Sequence, residues 1–313
     1  MTKHRSKPVS RRTLLAGSAG AALTALLPKA GWTDQTTTPS LRTIPSSGAR
    51  IPAVGLGSWI TFNVGDSPVL RAQCAEVMDA FFKAGGKMID SSPMYGSAQS
   101  VIGDGLRALG RTDTVFSADK VWISDTDDGP DQIADSRALW QVPKFDLLQV
   151  HNLVGWEGHL RTLFEMKQSG HLSCVGLTTS HGRRHQDLAE IMAREPIDFV
   201  QLTYNVRDRA AADRLLPLAQ DRGIAVIVNR PFRRGGLTQP LEGQPLPDWA
   251  GEVGADTWAQ LLLKFILAHP AVTTAIPATT KPHHAVENLA ASTGPVLDAD
   301  LSRRLISQVE SLT

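Results

Sequence analysis

Short apolar, β-branched runs recur along the chain, each followed by a polar or glycine-containing turn and then by a stretch with helical spacing. The runs at 53–56, 87–90, 114–118, 146–150, 173–178, 197–202, 224–228 and 272–276 predict eight strands. The stretches at 69–84, 100–109, 132–140, 158–169, 184–194, 210–221 and 257–268 predict helices between them. Strand and helix alternate with no run of consecutive strands, which implies a parallel sheet, either doubly wound or closed into a barrel. A doubly wound dinucleotide fold requires Gly-x-Gly-x-x-Gly after its first strand. Gly55-Leu56-Gly57-Ser58-Trp59-Ile60 lacks the third glycine, and there is no Walker-type loop.

Polar residues at the strand ends favour the barrel. Thirty residues separate Asp90 from Lys120, and thirty-one separate Lys120 from His151. One βα unit has about that length, so the three fall at equivalent C-terminal strand ends, which converge on one face of a (β/α)₈ (TIM) barrel. The segment 41–51, with a Ser46-Ser47-Gly48 turn, predicts a hairpin closing the opposite end. Residues 233–255 are rich in Gly and Pro and read as a long loop on the site face.

Composition narrows the partners. The 313 residues carry a formal charge of +1, with 42% apolar and 20% charged positions. That balance argues against nucleic acid as a partner. No run of about 18 apolar residues predicts stable membrane insertion. Cys74 and Cys174 are expected on the first helix and the fifth strand as two free thiols. The N-terminus differs from the rest. Lys3, Arg5, Lys7, Arg11 and Arg12 precede an uncharged, mostly apolar stretch from Leu14 to Leu27, the layout of an export signal. Ser10-Arg11-Arg12-Thr13-Leu14-Leu15 resembles the twin-arginine signature. The expected division is a signal at 1–30, whose cleavage is open because Pro28-Lys29-Ala30 is a poor A-x-A site, then a linker at 31–40 and the barrel at 41–313. The expected location is the periplasm, reached through the twin-arginine translocation machinery.

The chemistry lies at the strand ends. Asp90 is followed five residues on by Tyr95 in Met88-Ile89-Asp90-Ser91-Ser92-Pro93-Met94-Tyr95-Gly96, Lys120 stands in Asp119-Lys120-Val121-Trp122, and His151 ends Leu147-Leu148-Gln149-Val150-His151. Taken singly, the Asp–Lys pair reads as a buried ion pair and the histidine as a satisfied core residue. Nothing structural requires the tyrosine as well. A lysine ammonium beside a phenol favours the phenolate and lowers its pKa, and Asp90 would keep Lys120 charged. Tyr95 is then suited to protonating a carbonyl oxygen, and His151 to donating a hydrogen bond to it.

With these motifs in this order, residues 43–288 resemble the aldo-keto reductase family, whose Asp, Tyr, Lys and His tetrad occupies these strands. The resemblance implies a NADP(H) or NAD(H) cofactor, a small-molecule aldehyde or ketone substrate and no metal. Gly57 and Ser58 follow the first strand on the cofactor side. Thr178, Thr179 and Gln201 take the places of the residues that hold the nicotinamide carboxamide, although Thr179 lacks the usual amide. Asn229 stands where an aromatic ring commonly stacks on the nicotinamide. Arg230, Pro231 and Phe232 follow it, with Arg233 and Arg234 near the expected pyrophosphate. Near the C-terminus, Thr279, Glu287 and Asn288 fit phosphate and adenine contacts, whereas Ala278 and His284 replace the family's lysine and arginine. Lys281 and His284 are the cations left to meet a 2′-phosphate, so the choice of NADP over NAD is open. Trp59 and Trp122 are expected to line the carbonyl pocket or to pack under its loops. Two other readings stand beside this one. One is a non-catalytic barrel for nucleotide sensing or protein interaction. The other is a zinc hydrolase, for which His181 and His185 lack a third ligand.

Overall fold

The computed structural model describes residues 38–313. The twin-arginine stretch, the signal and residues 31–37 lie outside the described residues. From the last part of the expected linker, Pro39 is buried and the Ser40 amide donates to Ser292 Oγ at 3.2 Å.

Strands β1 (Leu41–Thr43) and β2 (Arg50–Pro52) form an antiparallel hairpin. Eight parallel strands follow: β3 (Leu56–Gly57), β4 (Met88–Asp90), β5 (Phe116–Val121), β6 (Phe145–His151), β7 (Leu172–Thr178), β8 (Phe199–Thr203), β9 (Ala225–Asn229) and β10 (Val272–Ala275). They pair in sequence order, and parallel bridges Val54–Ala275 and Gly57–Ala278 join the first strand region to the last, so the sheet curls into the expected (β/α)₈ barrel. The helices are α1 (Pro68–Lys83), α2 (Ala98–Leu109), α3 (Gly129–Trp140), α4 (Trp156–Gln168), α5 (His185–Arg194), α6 (Ala211–Arg222), α7 (Trp258–Ala268), α8 (Pro282–Ala290) and α9 (Ala299–Leu312). Among the described residues no helix is long and apolar enough to cross a membrane.

The strands match the sequence expectation to within two residues at each end, except at two bounds that move by three. The first pairing strand lies at Leu56–Gly57 rather than 53–56, although Val54 still bridges Ala275. The third continues to Val121, because the charges of Asp119 and Lys120 that signalled a strand end are both satisfied inside the protein.

Strand alternation separates two cores. Ile89, Leu148, Val150, Val175, Leu177, Val200, Leu202, Val226 and Val228 face the helices. Met88, Ala118, Leu147, Cys174, Phe199, Ala225 and Ile227 fill the barrel, where Ile44 and Ile51 of the hairpin join them. The hairpin therefore packs its apolar side chains into the barrel interior, leaving the opposite, C-terminal face for the site. Cys74 and Cys174 are buried free thiols, as expected.

Candidate active site

The inward-facing positions change character along each strand. Above the apolar layer of Met88, Ala118, Leu147 and Phe199 come Asp90, Lys120, Gln149 with His151, and Gln201 with Thr203. Each polar residue lies two or four positions beyond its apolar partner, so the same period of two that builds the core delivers the polar groups to one mouth.

Lys120 is buried, and its Nζ lies 2.6 Å from Asp90 Oδ2 and 2.7 Å from the Ser91 carbonyl. The other Asp90 oxygen accepts from Gln201 Nε2 at 2.8 Å and Gln149 Nε2 at 3.3 Å. An ion pair held by so many donors is fixed in place, as burial of both charges requires. Lys120 Nζ stands 5.2 Å from the centre of the Tyr95 ring. Tyr95 is carried on the short 3₁₀ turn Pro93–Tyr95, which Ser92 caps by accepting from the Met94 amide.

Burial pushes the Tyr95 phenol up, and the nearby Lys120 charge only partly offsets it. The direction is the reverse of the sequence expectation, because the phenol loses more solvation than the ammonium returns. Burial also acts to lower Lys120, but Asp90 and Tyr95 outweigh it and the net direction is upward. At neutral pH the site therefore holds a protonated phenol beside a charged ammonium.

His151 meets the edge of Tyr95 at 5.9 Å between ring centres. Burial, reinforced by Lys120, takes it down to about 3, so it is neutral. Its Nδ1 lies 2.8 Å from Ser92 Oγ. The serine oxygen already accepts from the Met94 amide. Its hydroxyl is thus free to donate to Nδ1, which assigns the ring proton to Nε2.

A cleft of about 610 Å³ opens over these residues. It gathers most of the residues that the sequence singled out: Gly57, Ser58, Trp59, Asp90, Tyr95, His151, Thr178, Gln201, Asn229, Arg230, Pro231, Phe232, Ala278, Thr279, His284, Glu287 and Asn288. Lys120 lies beneath the floor rather than on the wall. Thr179 is buried with an unpartnered Oγ1, and Lys281 and Trp122 are not part of the wall, although Trp122 stands 6.4 Å from His151. Arg233 turns away to pair with Asp208 at 3.2 Å, whereas Arg234 lies over the Trp59 ring at 4.9 Å. His181, weighed in the sequence as a zinc ligand, is exposed and lines the cleft. Among the described residues no cluster of three or more metal-ligating side chains is present.

Two expected contacts take another form. Gln201 Nε2 is committed to Asp90, and its Oε1 accepts from Thr178 Oγ1 at 3.2 Å. Asn229 donates to the Thr179 carbonyl at 2.9 Å and accepts from Thr203 Oγ1 at 2.6 Å. Both groups thus stiffen the cleft floor through partners on neighbouring strands. Sequence reasoning missed Ile60, Met94, Ser92 and Gln149. The last two touch the tetrad, and only their strand-end positions offered a signal.

The cleft fits an elongated anionic ligand. Arg230 lines it with a buried Nη1 that has no partner, and Arg183 and Arg234 stand on the same wall. At the far end Asn288 is buried, lines the cleft and makes no side-chain hydrogen bond to a described residue. A dinucleotide, with a pyrophosphate for the arginines and an adenine for Asn288, suits these donors.

An α/β barrel with a proton-bearing phenol and a neutral imidazole over a buried ion pair is an arrangement capable of acid–base work at its mouth. The chain belongs to the aldo/keto reductase family, whose model matches residues 53–307. Three curated relatives illustrate the range. Aldo-keto reductase YhdN of Bacillus subtilis (strain 168) is 24% identical over 62% of this chain, and the match spans 62% of its own length, under two thirds. Pyridoxal 4-dehydrogenase of Microbacterium luteolum is 25% identical, over 79% of this chain and 91% of its own length. NADH-specific methylglyoxal reductase of Escherichia coli (strain K12) is 24% identical, over 63% and 68%. In fold, the chain is similar to an aldo/keto reductase from Klebsiella pneumoniae solved with NADP and acetate. That likeness has a TM-score of 0.70 at 24% identity and covers 87% of this chain and 94% of the other.

Proposed function

We propose that this protein reduces an aldehyde or ketone to an alcohol with a nicotinamide cofactor, with Tyr95 as proton donor. The observation that carries this reading is the protonated Tyr95 beside neutral His151, above the Lys120–Asp90 pair and at one end of a cleft with unpartnered donors. A reduced nicotinamide bound in that cleft supplies the hydride. Every other task falls to the chain. His151 Nε2–H donates to the carbonyl oxygen, orients it and stabilises the negative charge that develops there. The Tyr95 hydroxyl gives its proton to the same oxygen. Lys120 stabilises the phenolate left behind, and Asp90 keeps the ammonium in place. Arg230 and Asn288 would hold the pyrophosphate and adenine ends, and Trp59 lines the cleft beside the carbonyl.

The coenzyme is NADP(H), with NAD(H) the alternative that Ala278 and His284 keep open. Relatives of both kinds support this: the Klebsiella protein was solved with NADP, and the E. coli relative is described as NADH-specific. Export by the twin-arginine route belongs to the same reading. Replacing Arg11 and Arg12 by lysine should leave the protein in the cytoplasmic fraction, and unchanged fractionation would refute the route.

Tyr95→Phe tests the mechanism. It keeps the ring that packs on His151 and removes the proton donor, so turnover should fall by about 10²–10⁴ while coenzyme binding stays within a few-fold. Turnover equal to that of the parent protein would exclude Tyr95 as the donor. Coenzyme binding with no turnover of any carbonyl, even in the parent protein, would favour a nucleotide sensor.

A further inference from the structure

One buried acid has no part in the chemistry above. Asp119 precedes Lys120 on β5, so alternation along the strand turns its side chain outward, toward the helices, while Lys120 points into the barrel. It is wholly buried. One carboxylate oxygen accepts the backbone N–H of Lys120 at 2.9 Å, and the other accepts Gln99 Nε2 of α2 at 2.7 Å. Gln99 Nε2 in turn donates to Ser136 Oγ of α3 at 2.9 Å. The charges that act on Asp119 are Lys120, which attracts, and Asp90, which repels. A buried carboxylate held by a neutral amide and one peptide N–H is an expensive way to fasten a strand to a helix, since an amide side chain would do the same work uncharged.

We propose that Asp119 is a positioning residue: its carboxylate, sealed between β5 and helices α2 and α3 and bonded to the Lys120 backbone N–H, offsets the field of the Lys120 ammonium at Tyr95 and so favours the protonated phenol. Its charge favours the protonated forms of both Lys120 and Tyr95. Burial raises Asp119 itself to about 7, so its charge is developed above neutrality, over the higher range in which Tyr95 titrates. The inference deepens the reading of Tyr95 as proton donor, but its test does not depend on turnover.

The chain has only two tyrosines, Tyr95 and Tyr204. Tyr204 stacks on Phe265 and does not line the cleft. In a Tyr204→Phe background the near-ultraviolet absorbance of tyrosinate therefore reports Tyr95 alone. Adding Asp119→Asn should move that transition down by about one pH unit, whereas Asp119→Glu, which keeps the charge, should leave it high. The high-pH limb of carbonyl reduction should shift with it. A transition unmoved by Asp119→Asn would overturn the proposal and leave Asp119 a structural tie. If that variant does not fold, Asp119→Ser carries the same requirement, since it also removes the charge. Absence of turnover on any carbonyl would defeat the proposed function while leaving the spectroscopic arm readable.

Discussion

Tyr95 is protonated at neutral pH because burial outweighs the Lys120 charge, and this makes the two directions of the proposed reaction differ in pH dependence. Reduction uses the phenol and should stay level through neutrality, then fall as pH rises past the raised Tyr95 value. Alcohol oxidation uses the phenolate and should climb over that same range. His151 should add no inflection near the ordinary histidine value of 6.5, because it is held at about 3. Profiles of kcat/KM against pH in both directions check this, and a reduction profile already falling with a midpoint near 7 would contradict it. Asp90, Lys120 and His151 were legible in the sequence from their regular spacing along three strands, and Tyr95 from its place in the turn after Asp90. Ser92, Gln149 and Asp119 were not, because their meaning comes from partners on other elements: His151 for Ser92, Asp90 for Gln149 and Gln99 for Asp119. The direction of the Tyr95 shift was misread for a similar reason, since a sequence names the neighbouring charge but not the depth of burial.

At the scale of elements, the barrel depends on the hairpin at its N-terminal end. Ile44 and Ile51 are almost completely buried and pack with the interior layer. Ile51→Ala should cost about 2–4 kcal/mol in denaturant unfolding, while coenzyme affinity, read at the opposite mouth, stays within two-fold. A large loss of affinity with little loss of stability would mean that the two ends are coupled. The strand–helix alternation was legible because buried parallel strands read as apolar runs between amphipathic helices. The ends of β5 were not, since Asp119 and Lys120 look like a solvent-facing stop and only tertiary contacts allow a strand to run through them. The final helix, α9, turns a stripe of Leu301, Leu305, Ile306, Val309 and Leu312 toward the core, which the reading of strand–helix units, ending at the eighth strand, did not include.

Across the whole molecule, the loop that follows β9 reaches from Arg230 to Arg234 over Trp59, beside the end of β3, and so overhangs the cleft between Tyr95 and Asn288. This arrangement makes one elongated site out of residues separated by most of the chain. Its two ends were foreseen from motifs, whereas the commitment of Asn229 and Gln201 to the floor followed only from the closed barrel, which brings Thr179, Thr203 and Asp90 to them. The central claim is that this cleft holds a nicotinamide dinucleotide over Tyr95. A fluorescence titration of the protein with NADPH and NADH side by side tests it most directly. The account predicts saturable binding of at least one coenzyme at one site per chain, weakened at least ten-fold by Arg230→Ala. Binding of neither coenzyme to a cofactor-free sample would leave the tetrad without a hydride source and contradict the account.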